Sequence, residues 1–384
     1  MPEGPRIEVG AYYFPNYHRD PRNECVHGPG WTEWELLKRA QPRFPGHQQP
    51  KIPLWGYEDE ADPRVMARKI AAAADHGLNH FLFDWYWYED GPFLGRCLDE
   101  GFLWAPNRDR LKFALMWATH DWLNIMPAKK RGPHPLQYPG AISRAAFDAA
   151  ADHIVANYFS QPNYWKIDGF PYFSFYDLTT LVRGLGGIDE TRSALESFRA
   201  KTRAAGLSGL HLNAIVWGVK ILPNEVKLKN PNEMLQALGF DSVASYVWVH
   251  HVPLPQFPAT PYDDIADASV KVWARLDSEF SLPYFPNVTM GWDASPRTVQ
   301  SEEFTNEGYP WMATLEGNTP QRFEAALREA KAFLDRRSPA LPRILTINAW
   351  NEWTEGSYLE PDTVHGLGYL QAIQNVFGAG QPSS

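Results

Sequence analysis

Short apolar runs rich in β-branched and aromatic residues recur along this chain at wide spacing, and most are followed by a stretch of helical periodicity. Eight runs qualify: IEVGAYYF (7–14), HFLFDWYW (80–87), KFALMWA (112–118), PYFSFYD (171–177), LHLNAIVW (210–217), SVASYVW (242–248), YFPNVTM (284–290) and RILTINAW (343–350). Amphipathic segments lie between them at 62–77, 143–159, 191–206 and 319–337. Asp62 before Pro63, Ser143, and Thr319 before Pro320 suit helix starts, and Gly77 and Gly206 suit helix ends. Strand–helix alternation implies parallel strands joined by right-handed crossovers. Eight such units predict an α/β fold, a single (β/α)8 TIM barrel with elaborated loops at the C-terminal face of its strands. An open doubly wound sheet is the rival, and no glycine-rich phosphate loop follows the first run to favour it. The barrel is expected to occupy 1–378, with 379–384 a flexible tail. The stretch 15–61, poor in helical signals, reads as a long loop after the first strand.

Composition narrows the function. The chain carries 16 Trp, 17 Tyr and 21 Phe, and flat amphipathic rings suit the faces of sugars as well as they suit a core. A formal net charge of −9, with no basic run beyond KKR at 129–131, supplies no footprint for nucleic acid. Two cysteines, Cys25 and Cys97, are too few for a disulfide framework, which makes a reducing compartment the default and leaves one bridge between them open. The N-terminal sequence has no basic and apolar leader pattern, and no stretch approaches the length of a membrane span, so the expected setting is cytoplasmic unless a signal has been removed, with no membrane partner.

In a barrel of this kind the site forms where strands end. Those positions hold Tyr12 and Tyr13, with His18 beyond; Asp84, Trp85 and Trp87; Trp117 and His120; Tyr246; Asn287 and Trp292; and Trp350, Asn351 and Glu352. Aromatics mixed with amide, carboxylate and imidazole groups describe a cleft for a neutral polyhydroxylated ligand, an oligo- or polysaccharide. Glu352 and Glu355 are the expected catalytic pair, because a spacing of three places both on one side of a helical turn. Glycosidic cleavage needs two flanking carboxyl groups, and crowding helps one stay protonated near neutral pH. The plainer alternatives are that Glu355 caps a helix or that one glutamate pairs with an arginine. Within GWTEW, Glu33 and the rings of Trp31 and Trp34 either reach the cleft or anchor the first loop; the cleft is the expectation, and Trp353 and His47 are counted with it. Glu360 reads as a structural or outer-subsite residue. The histidines show no HExxH or HxH spacing and no GxSxG occurs, so no metal, cofactor or serine nucleophile is expected. The acidic YDDIAD at 262–267 reads as helix N-terminal charge.

Five ordered motifs, AYYFPNYH, GWTEW, RFPGHQQPKIPL, HGLNHFLFDWYWY and TINAWNEWTEGSYLEPD, resemble those of WbsX-type proteins, also described as glycoside hydrolase family 99-like. The resemblance covers about 10–90 and 344–370. It implies a (β/α)8 barrel and a distant relation to family 99 endo-acting α-mannosidases and α-mannanases. It further implies a retaining mechanism in which Glu352 is the base toward the substrate's own 2-hydroxyl and Glu355 the acid, passing through a 1,2-anhydro sugar. That route demands α-linked manno- or rhamno-configured residues, here within a bacterial polysaccharide. Members of the family have also been labelled glycosyltransferases, so a transferase of polysaccharide or O-antigen synthesis is the first alternative. A non-catalytic carbohydrate-binding barrel is the second.

Overall fold

The computed structural model describes residues 6–219, 221–222 and 230–378; the tail expected at 379–384 lies outside them. Nine strands form one parallel sheet: β1 Glu8–Tyr13, β2 His80–Tyr88, β3 Lys112–Trp117, β4 Phe170–Phe175, β5 His211–Ile215, β6 Ser242–Ala244, β7 Tyr284–Phe285, β8 Asn287–Thr289 and β9 Ile344–Asn348. They run side by side in the order β7-β6-β5-β4-β3-β2-β1-β9-β8. The sheet ends are two halves of one stave, since β7 and β8 are consecutive and separated by Pro286 alone. β7 pairs with β6 and β8 pairs with β9, both parallel. Proline has no N–H to give the ladder, but the carbonyl of Pro286 still accepts from Thr346 N at 3.0 Å. The barrel therefore closes with eight staves, as the strand count predicted, and every expected run contributes one.

Among the described residues ten α-helices accompany the strands: α1 Pro21–His27, α2 Trp34–Arg39, α3 Pro63–Asp75, α4 Arg144–Ile154, α5 Leu178–Leu185, α6 Ile188–Ala204, α7 Pro231–Leu238, α8 Tyr262–Glu279, α9 Pro320–Asp335 and α10 Gly368–Phe377. The caps read from sequence are realised: the side chains of Asp62, Ser143 and Thr319 each accept from a backbone N–H in the first turn of α3, α4 and α9. Asp263 and Asp264 sit in the first turn of α8, where the helix dipole favours negative charge. The stretch 15–61 is less plain than expected, because it contains α1 and α2. Both are short, six or seven residues, so neither leaves a sustained periodic signal. Cys25 is exposed and Cys97 buried, and both are free thiols. No helix among the described residues is long and apolar enough to cross a membrane.

Strand parity decides which side chains reach the barrel mouth, because successive residues of a strand face opposite sides. On β2, Asp84 and Tyr86 face the cleft at the mouth, while Trp85 and Trp87 stack on each other at 5.5 Å and lie over His153 of α4. On β3, Met116 lines the cleft and Trp117 stacks on Phe147 of α4 at 5.7 Å. At the closed end of the barrel, His80 lies stacked 3.8 Å from Trp165. A Cβ on Gly10 would come within 2.0 Å of His80 Nε2, so only glycine admits that ring. Burial pushes the His80 imidazole down to about 3, which keeps it neutral filling.

Candidate active site

The two predicted glutamates arrive on a single tight element. After β9 the chain forms a two-residue strand, Asn351–Glu352, and then one helical turn, Trp353–Glu355, of the narrow three-residue kind in which positions i and i+3 eclipse. Gly356 ends the turn with φ 64°, and a Cβ there would meet the Asp293 Cβ at 2.7 Å. Asn351 fixes the turn from below: its amide oxygen accepts from Phe14 N at 2.8 Å, and its Nδ2 donates to Phe14 O at 2.7 Å.

Both glutamates are buried and line the same cleft. Arg297, from the loop after β8, lies between them: its Nη2 is 3.2 Å from Glu352 Oε2, and its Nη1 donates to Glu355 Oε1. The arginine pairing weighed as a plain alternative thus involves both carboxyl groups. Tyr309 donates to Glu355 Oε1 at 2.6 Å. On the other side the Tyr246 hydroxyl is 3.2 Å from Glu352 Oε1 and 2.9 Å from Asp84 Oδ2. One hydroxyl hydrogen cannot serve both acceptors, so the trio closes when Asp84 or Glu352 is protonated and donates to the Tyr246 oxygen. Burial raises Asp84 well above the usual carboxylate range, against the Tyr246 hydrogen bond. Burial, then the neighbouring Glu355, raise Glu352 well above its ordinary value in spite of Arg297. Glu355 is also raised by burial, but Arg297 and Tyr309 hold it back.

Six of the expected site residues line the cleft: Asp84, His120, Tyr246, Trp292, Glu352 and Glu355. The others lie elsewhere. Glu33 is fully buried behind Arg297, accepting from its Nε at 2.9 Å and from Asn16 at 2.7 Å, so GWTEW anchors the first loop to the Trp353–Glu355 turn. Trp34 donates to Glu58 O at 2.8 Å, and Trp31 stacks on His27 at 4.2 Å. Trp350 and Trp353 both donate to Glu360, at 2.8 and 2.7 Å, which makes all three structural. Tyr12 is buried with its hydroxyl on Ser245 O, Tyr13 bonds Glu60, and Asn287 bonds Thr346, all within the barrel wall. Trp85, Trp87 and Trp117 belong to the helix side, as strand parity dictates. His47 holds Asp293 at 2.8 Å. Burial alone would raise Asp293, but the His47 hydrogen bond and charge bring it below the usual range.

The residues that sequence reading missed are Arg297, Tyr309, Phe14, Trp122, Tyr176 and His250, all in the cleft lining. Most stand in loops beyond the strand ends, where no period marks them. A cluster of buried glutamates does demand a cation, and that is the signal by which an arginine could have been sought. The scattered histidines also hid a grouping: His18, Glu60 and Cys97 bring metal-ligating atoms within 4.8 Å of one another. Lys69, 3.2 Å from Glu60 and 2.7 Å from Glu360, already supplies positive charge beside it.

A closed eight-stave parallel barrel with its cleft at the strand ends is a TIM barrel. A family 99 endo-α-mannosidase from Bacteroides thetaiotaomicron superposes with TM-score 0.59 over 96% of this chain and 95% of that one, at 13% identity. A structure described as a glycoside hydrolase-like protein gives 0.60 over 97% and 94%, at 16% identity. The family model described as Glycosyltransferase WbsX matches residues 9–373, and the chain belongs to that family. The uncharacterised protein WxcX of Xanthomonas campestris pv. campestris is 28% identical across 97% of this chain. The chain spans about half the length of that relative, 50% of it being covered.

Proposed function

We propose that this chain is a retaining glycoside hydrolase acting on α-linked manno- or rhamno-configured residues of a bacterial polysaccharide, with one barrel carrying the reaction. The observation that carries the reading is a pair of buried glutamates three residues apart, facing one cleft and sharing Arg297. The resemblance to family 99 assigns the roles. Glu352 takes the proton of the substrate's 2-hydroxyl, and O2 attacks C1 from the face opposite the leaving oxygen. Glu355 gives that oxygen its proton, leaving a 1,2-anhydro sugar. Glu355 then removes a proton from water, which opens the three-membered ring at C1 while Glu352 returns a proton to O2. Two inversions at C1 amount to retention.

These roles require Glu355 to hold the pair's proton when substrate is bound, and burial raises both carboxyl groups above their ordinary values. In a pair that titrates together, a proton belongs to the pair before it belongs to either member. Displacing water from the cleft also strengthens each electrostatic contact.

The test is hydrolysis of a panel of α-linked manno- and rhamno-configured glycans, followed by NMR of the first-formed anomer. Retention is expected, with Glu352→Gln and Glu355→Gln each lowering kcat by about 10²–10⁴ while binding persists. Undiminished turnover in either variant, or an inverted product, would overturn the assignment. The family's description favours a second reading, transfer from an activated sugar; an absolute requirement for a nucleotide-sugar or lipid-linked donor would identify it.

A further inference from the structure

Of the 16 tryptophans, all among the described residues, Trp104 alone is exposed, at 76%. A ring of that size left in water forgoes the burial that holds the others. Its backbone is nevertheless fixed: Leu103 N bonds Leu98 O at 2.9 Å, Ala105 N bonds Phe102 O at 3.2 Å, and Arg108 donates to Leu103 O. Asp99, Trp104 and Arg108, from the segment that leads into β3, line an open groove with His153, Asn157 and Gln161, from the end of α4 and the residues after it. The groove lies outside the barrel. His153 packs on Trp85 and Trp87, which turn away from the cleft, and no residue of the groove lines the cleft. Each wall carries a π-helical turn, Cys97–Phe102 on one and Val155–Phe159 on the other, a rare form concentrated at functional sites. Tyr158 ties the two turns together by donating to Asp99 Oδ1 at 2.8 Å.

The polar groups of the groove are also held in place. Asn157 and Gln161 each donate an amide N–H to a backbone carbonyl four residues back, at 2.9 and 3.0 Å, and among the described residues no donor occupies either amide oxygen. An exposed flat ring beside fixed acceptors suits a sugar, whose C–H face packs on the ring while its hydroxyls donate to the oxygens. A stable protein partner would need a broad apolar patch, and here the side chains around the ring are mostly polar. Resting on the saccharide reading of the cleft, we propose that this groove is a second, non-catalytic binding site for a neutral stretch of the same polysaccharide. A chain held there stays near the cleft between cleavage events.

Fluorine NMR of the full chain labelled with fluorotryptophan tests this, the Trp104 line being identified by its loss in Trp104→Phe. Titration with α-mannotriose or α-rhamnotriose should move that line saturably. A line that stays still with both sugars at about 10 mM, where a complex of about 1 mM dissociation constant would be nearly fully formed, would overturn the proposal. Gln161→Ala, checked for folding by its melting curve, should weaken the response by about 3- to 10-fold, the span of one hydrogen bond. An unchanged response in that variant would mean that the sugar acts from elsewhere, and would also sink the idea. So would a line that moves with protein concentration in the absence of sugar, since the groove would then receive a second copy of the chain. The titration needs no turnover. A silent Trp104 therefore leaves the hydrolase reading standing, and failure of every glycan to turn over leaves the titration decisive.

Discussion

Glu33, Glu352 and Glu355 converge on one guanidinium, that of Arg297, and Asp84 joins them through Tyr246. Ionising all four carboxyl groups would leave three negative charges uncompensated in a buried site, so the fold keeps protons there. The sign of the consequence follows. A carboxyl whose native value is raised binds its proton more tightly folded than unfolded, so its contribution to stability is lost as pH climbs from about 4.3 toward that raised value. A glutamine carries no such cost. Glu352→Gln should melt above the parent protein at pH 8, by on the order of 1–3 °C, and the gap should close below pH 4. Calorimetry across that range checks it, and a gap independent of pH would mean that Glu352 titrates normally. Tyr246→Phe removes the hydroxyl that bridges Glu352 and Asp84. The acidic limb of the kcat/KM profile, which reports the base losing its proton, should move to higher pH, while Tyr309→Phe should act through Glu355.

The Trp353–Glu355 turn depends on elements remote in sequence. It is clamped by Asn351 on Phe14 at the end of β1, by Glu33 at the start of α2, and by the Asp293 segment after β8. Gly356 is where these constraints meet, with a positive φ and the Asp293 backbone against it. Gly356→Ala should therefore destabilise by about 1–3 kcal/mol and also lower kcat, since the strain falls on the turn that holds Glu355. Chemical denaturation and turnover measured on the same sample separate the two effects. A variant that lost stability but kept its rate would show that the turn repacks without moving the carboxyl groups. His47 and Gln49 hold the other end of this arrangement by binding Asp293 Oδ2 at 2.8 and 2.6 Å, so the long first loop serves the site as a brace.

At the scale of the whole molecule, a net charge of −9 sets the long-range field. Mobility-shift titration with duplex DNA should give no complex at about 50 mM salt, since a net negative chain with no basic run in its sequence beyond KKR at 129–131 offers little counterion release; a tight, salt-sensitive complex would contradict that. The barrel itself was legible because eight β-rich runs and four capped helices are local signals, written by period and punctuation in neighbouring residues. The spacing of Glu352 and Glu355 was legible for the same reason. What sequence did not reveal was the direction each strand-end side chain takes: Trp85, Trp87 and Trp117 proved to face helices while Asp84 and Met116 face the cleft, a distinction made by strand parity once β2 and β3 are in register. Nor did it reveal Arg297, which reaches Glu352 and Glu355 from more than fifty positions away. The sequence by itself determined the fold class and the spacing of the two glutamates, through interactions between residues close along the chain. Tertiary structure alone decided which groups surround that pair, because burial, shared hydrogen bonds and charge pairing exist only after distant segments have met.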